Sequence, residues 1–175
     1  MLKPEFRWFI ILDMGYVRKL TEDEYDEIMD ALYHPQSMDL NLYKRTKIWC
    51  ILALESQAGL RLKTACNLRK DDIRYEEANK SYYIMEYLPK SQTYKKLDIP
   101  KHIVKVVLFI SATHKAEGPL FEGYKGSDGR PRPITERAVK KMLKKVTEDL
   151  EIDGVSTRSF YKYYYNGPAE EDDED

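Results

Sequence analysis

Apolar residues recur at helical spacing along most of this chain and break into short alternating runs only near its middle. Tyr25, Ile28, Met29 and Leu32 follow Thr21 and Glu24, a capping-box pair, which predicts a helix from about Glu22 to Tyr33 ending before His34 and Pro35. A second helix from about Leu40 to Ala58 carries Ile48, Trp49, Ile51, Leu52 and Leu54, the wide apolar face of a core helix, and halts at Gly59. Leu62, Ala65, Cys66 and Leu68 add a turn or two before the polar Lys70, Asp71 and Asp72. The period then changes: Ile73 and Tyr75, then Tyr82, Ile84 and Tyr87, flank Glu76–Lys80 and predict a hairpin. Leu97 and Ile99 supply a third short strand after a loop from Pro89 to Lys96.

Beyond Pro100 the helical period returns. His102 to Ala112 is apolar at Ile103, Val106, Val107 and Ile110, and Gly118, Pro119, Gly123, Gly126, Gly129, Pro131 and Pro133 then mark a long loop. Thr135 opens a helix whose Val139, Met142, Leu143, Val146 and Leu150 share one face, with Lys140, Lys141, Lys144 and Lys145 largely on the other. After Asp153 and Gly154 a Tyr-rich helix, Ser156 to Tyr165, ends at Gly167 and Pro168. The expected fold is mainly α with a small three-stranded antiparallel β-sheet, one domain over residues 20–167. Residues 1–19, aromatic and basic, fit a short strand or a final helical turn, and residues 168–175 form an acidic tail expected to be disordered.

Composition changes this picture little, but charge does. A chain of 175 residues with 42% hydrophobic content buries one core. Its formal charge of −1 conceals segregation, because every residue from Glu170 to Asp175 is acidic whereas Tyr87 to Lys145 is strongly basic. The basic stretch suits a phosphate backbone. Cys50 and Cys66 lack metal-ligand spacing and read as reduced, buried thiols of a cytoplasmic protein. Phe6 to Leu12, broken by Arg7, is too short to span a bilayer and lacks a cleavage site, so neither a membrane nor secretion is expected. His34, His102 and His114 stand at element ends and suit surface roles better than metal binding.

The candidate chemistry begins at Arg61. It follows Gly59 and Leu60 at a helix end, where a guanidinium can point into a groove. Downstream come Leu68, Asp72 and Ile73, then Lys90 between the second and third strands. Gly118-Pro119-Leu120-Phe121, the glycine-rich loop, the basic helix and Gly154-Val155-Ser156-Thr157 follow in order. This succession resembles the catalytic domain of the tyrosine recombinase (phage integrase) family over about Leu20 to Gly167.

The resemblance implies a DNA-binding protein of site-specific recombination and integration, from a mobile element. Its partner would be double-stranded DNA, it would need no metal or cofactor, and assembly of copies on DNA stays open. Catalysis would proceed through a phosphotyrosine intermediate, with Arg61 and Lys90 on the scissile phosphate and the lysine protonating the leaving 5′ oxygen. Lys95, Lys96, Arg130, Arg132, Lys140, Lys141 and Lys144 would contact the duplex. At the second family motif, His-x-x-Arg, one register aligns Arg158 with the histidine and Tyr161 with the arginine. Another puts Arg158 at the arginine and Val155 at the histidine; the first matches Phe160 and Lys162 better. Thr64 replaces a common acid, the amino-terminal clamp domain has no counterpart, and neither does the nucleophile segment. The nucleophile is thus unknown: Tyr161, Tyr163, Tyr164, Tyr165 or a residue of another polypeptide. The alternative is a catalytically inactive DNA-binding or regulatory protein on the recombinase scaffold.

Overall fold

The computed structural model describes residues 17–34, 39–112 and 118–169. The readings of the apolar run Phe6–Leu12, of most of the amino-terminal segment, of His114 and of the acidic tail from Glu170 lie outside the described residues.

Helix α1 (Glu22–Leu32) starts at the capping box expected from sequence. Glu24 N donates to Thr21 Oγ1 at 3.2 Å and Thr21 N donates to Glu24 Oε2 at 3.1 Å, which satisfies two otherwise orphaned donors. Arg18 closes on the same carboxylate and holds it below the usual carboxylate range. The apolar stripe Tyr25, Ile28, Met29 and Leu32 is buried, and Tyr25 stacks on Tyr163 with ring centroids 4.4 Å apart.

Helix α2 (Leu40–Ala58) is the central rod. Asp39 caps it, accepting from Asn41 N at 2.7 Å, and every residue from Thr46 to Ser56 is buried. Such a helix has no solvent face along that length, since other elements surround it. It stops at Gly59, whose φ of 70° is left-handed. The Tyr164 ring lies over Gly59 so closely that a Cβ there would meet Cε1 at 2.5 Å. A short helix α3 (Leu62–Cys66) follows, then a 3₁₀ turn over Lys70–Asp72.

Strands β1 (Arg74–Glu76), β2 (Ser81–Leu88) and β3 (Thr93–Ile99) form an antiparallel sheet in the order β1-β2-β3. Ile84 pairs with Leu97 and Glu86 with Lys95, and Ile84, Glu86, Leu97 and Ile99 are buried on its inner face. Strand β3 begins four residues before the expected Leu97, so Lys95 and Lys96 sit in a strand instead of a loop. Helix α4 (Lys101–Ala112) buries Ile103, Val104, Val106, Val107 and Ile110.

The glycine- and proline-rich stretch is not wholly loop. It contains a second, two-stranded sheet, β4 (Glu122–Lys125) with β5 (Pro131–Pro133), so the expected three-stranded sheet is not the whole of the β-structure. Lys47 Nζ donates to the Glu122 carbonyl at 2.9 Å and ties this hairpin to α2. Helix α5 (Glu136–Asp149) is capped by Thr135, which accepts from Ala138 N at 3.1 Å, and it buries Val139, Leu143 and Val146. Helix α6 (Thr157–Asn166) packs along α2, buries Phe160 at the core and ends at Gly167.

Candidate phosphate-binding cavity

Helices α2, α3, α5 and α6 converge on a cavity of about 710 Å³, α3 through Leu62. Its walls are Glu55 and Arg61 at the end of α2, Glu136, Lys140 and Lys144 on α5, and Thr157, Arg158 and Tyr161 on α6. Arg61 and Arg158, far apart in sequence, therefore line one space. Each reaches it for a local reason. Arg61 stands one residue past the chain reversal at Gly59 and Leu60, and its backbone N–H donates to Glu86 Oε1 at 3.1 Å. The same oxygen accepts from Thr64 Oγ1 at 3.0 Å, so a buried carboxylate on the inner face of β2 anchors the segment. Arg158 lies in the first turn of α6, where the positive end of the helix favours an anion. Ser156 N donates to Ser159 Oγ at 3.2 Å and holds that turn.

Burial dominates the titration of the wall. Desolvation, reinforced by Glu136 and opposed by Lys140, raises the Glu55 carboxyl to about 9, so it carries a proton at neutral pH. Its Oε2 has no hydrogen-bond partner among the described residues. Cys50 and Cys66 are free and buried as expected; burial raises Cys66 to about 12 and Cys50 further by the same cause.

A polar chain runs outward from the cavity. Burial and the bond to Tyr165 raise the Tyr161 hydroxyl while Arg61 opposes the rise. Tyr161 donates to the Tyr165 hydroxyl at 3.3 Å, and Lys95 Nζ donates to the same oxygen at 3.1 Å. Burial pushes Tyr165 up, but its two donors outweigh that and leave it below the ordinary phenol value. A smaller cavity of about 400 Å³ continues along this side, lined by Val17, Arg158, Tyr161, Lys162, Tyr165 and Asn166.

The other expected cations are placed differently. Lys90 is exposed in the turn between β2 and β3 and is not among the residues lining either cavity. Lys96 pairs with Glu76 at 2.8 Å and lies 4.6 Å from the centre of the Tyr83 ring. Arg132 is held by Asp128 at 2.9 Å, with Arg130 exposed in the same hairpin. Lys140 and Lys144 face Glu136 and Glu148 at 3.9 and 3.6 Å, loose exposed pairs that leave both ammonium groups able to turn to a ligand. Lys141 is exposed. Sequence reasoning missed Glu55 and Glu86. The only signal for Glu55 was its position within an apolar run that leaves no polar face. No group of three or more His, Cys, Asp or Glu suited to a metal occurs among the described residues.

The architecture is similar to part of several solved recombinase structures. A XerH recombinase bound to its difH substrate in a pre-cleavage complex superposes with a TM-score of 0.60 at 12% identity, over 86% of this chain and 43% of that one. The same enzyme in a post-cleavage complex with palindromic difH gives 0.61 at 14% identity, over 83% and 40%. A XerA recombinase gives 0.56 at 14% identity, over 87% and 49%. The chain thus spans less than half the length of these recombinases and shares the fold of that part. No protein-family model and no curated protein sequence matches it. No helix among the described residues is long and apolar enough to cross a membrane.

Proposed function

We propose that this protein binds duplex DNA by closing Arg61 and Arg158 on one backbone phosphate, on a scaffold built like the core of a tyrosine recombinase. The observation that carries the reading is that these two arginines, with Lys140 and Lys144, line a single cavity. Two guanidinium forks can meet the oxygens of one phosphodiester. The neighbouring structures include recombinase complexes with DNA substrates, which supports a nucleic-acid partner.

Electrostatically, the same cavity can do more than bind. Cations fixed around a phosphate stabilise the extra negative charge of a five-coordinate transition state without metal assistance. Strand cleavage also needs a tyrosine oxygen in line with the leaving 5′ oxygen and a proton for that oxygen. Tyr161 lies in the cavity wall beside Arg61, and Lys95, through Tyr165, is connected to it. The scaffold reading without turnover stays favoured by one observation: the hydroxyl of Tyr161 donates to Tyr165, so it is engaged as a bridging group.

The deciding experiment is fluorescence anisotropy on labelled duplex DNA at low and physiological salt, run beside a nicked suicide substrate. Binding that weakens on replacing Arg61 or Arg158 supports the phosphate reading, and absence of an anisotropy change at any salt refutes it. A covalent adduct mapped to one tyrosine would establish cleavage; binding without adduct assigns the chain to the non-catalytic class.

A further inference from the structure

We propose that Glu55 is a phosphate-contacting residue of this cavity, a neutral carboxylic acid that donates a hydrogen bond to the bound phosphate and makes anion affinity depend on its own proton. The inference rests on the reading of the cavity as a phosphate site.

Glu55 lines the same space as Arg61, Arg158, Lys140 and Lys144, yet it is 2% exposed, and its Oε2 has neither water access nor a hydrogen-bond partner among the described residues. Buried carboxyl oxygens are rarely left so, because an unmade hydrogen bond in the interior forfeits the solvation of the group. A group that waits for a partner and sits in a cavity wall is matched by a ligand atom. The end of a glutamate rotates about a broad, two-fold torsion, so either oxygen can present the proton to the cavity.

The charges around it decide what the ligand is. Facing Glu55 are Glu136 and Lys140 from α5 and Cys66 from α3. Arg61 at the end of α2, Lys144 of α5 and Arg158 and Tyr161 of α6 complete the walls. Four of these groups are cations, so an anion is the occupant the field favours. An ionised Glu55 would oppose that anion. A protonated one would help it, and burial together with Glu136 keeps the proton in place up to about pH 9. The acid therefore serves as a donor that adds no charge to the site, at a place where a lysine would have to be buried.

The test uses the whole chain and a short labelled duplex at low salt, with the wild type and Glu55→Gln compared at neutral pH and at about pH 9.5. Glutamine keeps a donor and cannot ionise. The wild type should lose up to about fourfold more affinity than the variant across that range, because a carboxyl with its midpoint near 9 is about three-quarters ionised at about pH 9.5 and only the protonated form donates to the phosphate. Equal losses in the two, with binding intact at neutral pH, would overturn the role of Glu55 and leave the phosphate cavity standing. Absence of binding by either at neutral pH would remove the cavity reading, and this one with it. Carbon-13 NMR of the Glu55 carboxyl in the unsubstituted protein gives a second readout. Its midpoint should lie near 9 and move up on adding duplex, and a midpoint in the usual carboxylate range would also overturn the proposal.

Discussion

Replacing Glu55 by glutamine should stabilise the folded chain at neutral pH and change little in acid. The carboxyl titrates at its ordinary value of 4.5 when the chain is unfolded and near 9 when it is folded. Between those limits the unfolded state releases a proton that the native state retains, so native stability falls as pH rises through that window. Each pH unit is worth about 1.4 kcal/mol, and at about pH 7.5 three units lie above the unfolded value, giving roughly 4 kcal/mol as an upper figure. Local relaxation and water entry bring the expected gain from the substitution to about 2–4 kcal/mol. At about pH 5 the same substitution should gain less than about 1 kcal/mol, since that pH lies only about half a unit above the unfolded value. Urea unfolding of both proteins at the two pH values measures this directly, through the midpoint at constant slope. A stability difference that is the same at both pH values would refute the reasoning, because it would come from packing and not from a buried proton.

Three other substitutions probe the scaffold and the surface charge. Gly59→Ala forces a side chain into a left-handed conformation beneath the Tyr164 ring, and should cost about 2–3 kcal/mol in thermal unfolding; a neutral result would mean the reversal before Arg61 is not constrained. Glu86→Ala leaves the Arg61 N–H and the Thr64 hydroxyl without their acceptor, and should cost about 2–3 kcal/mol in chemical unfolding and weaken duplex binding as well. Stability loss without weaker binding would separate the anchor from the site. Lys140→Gln with Lys144→Gln should lower the slope of log affinity against log salt by up to about 2, and an unchanged slope would place the DNA elsewhere.

Much of the helical frame was legible because it rests on local chemistry. Thr21 with Glu24, Gly59, Thr135 and Gly167 are start and stop signals whose physics is complete within a few residues. The second sheet was not legible, since β4 and β5 are short and rich in glycine and proline, and their pairing is fixed by the packing of Phe121 and the Lys47 bond to Glu122. In the candidate site, Arg61 and Arg158 could be chosen by resemblance to a family, and the fold brings both to one cavity. Spacing selected Lys90, but strand register decides which lysine meets the tyrosines. Lys95 lies opposite Glu86, on the inner side of β3, and so reaches Tyr165, while Lys90 falls in the exposed turn. Glu55 was faint in the sequence: a charged residue in a helix reads as a solvent-facing position, its apolar neighbours were the one sign otherwise, and the encirclement of α2 by other elements buries it.

The central claim, that Arg61 and Arg158 hold one phosphate together, is tested most directly by a double-mutant cycle on duplex binding with Arg61→Ala, Arg158→Ala and the pair. Two cations on a shared phosphate should couple, each single loss weakening binding about tenfold and the double loss departing from their sum by about 1 kcal/mol or more. Strictly additive effects, or no loss from either substitution, would contradict the account.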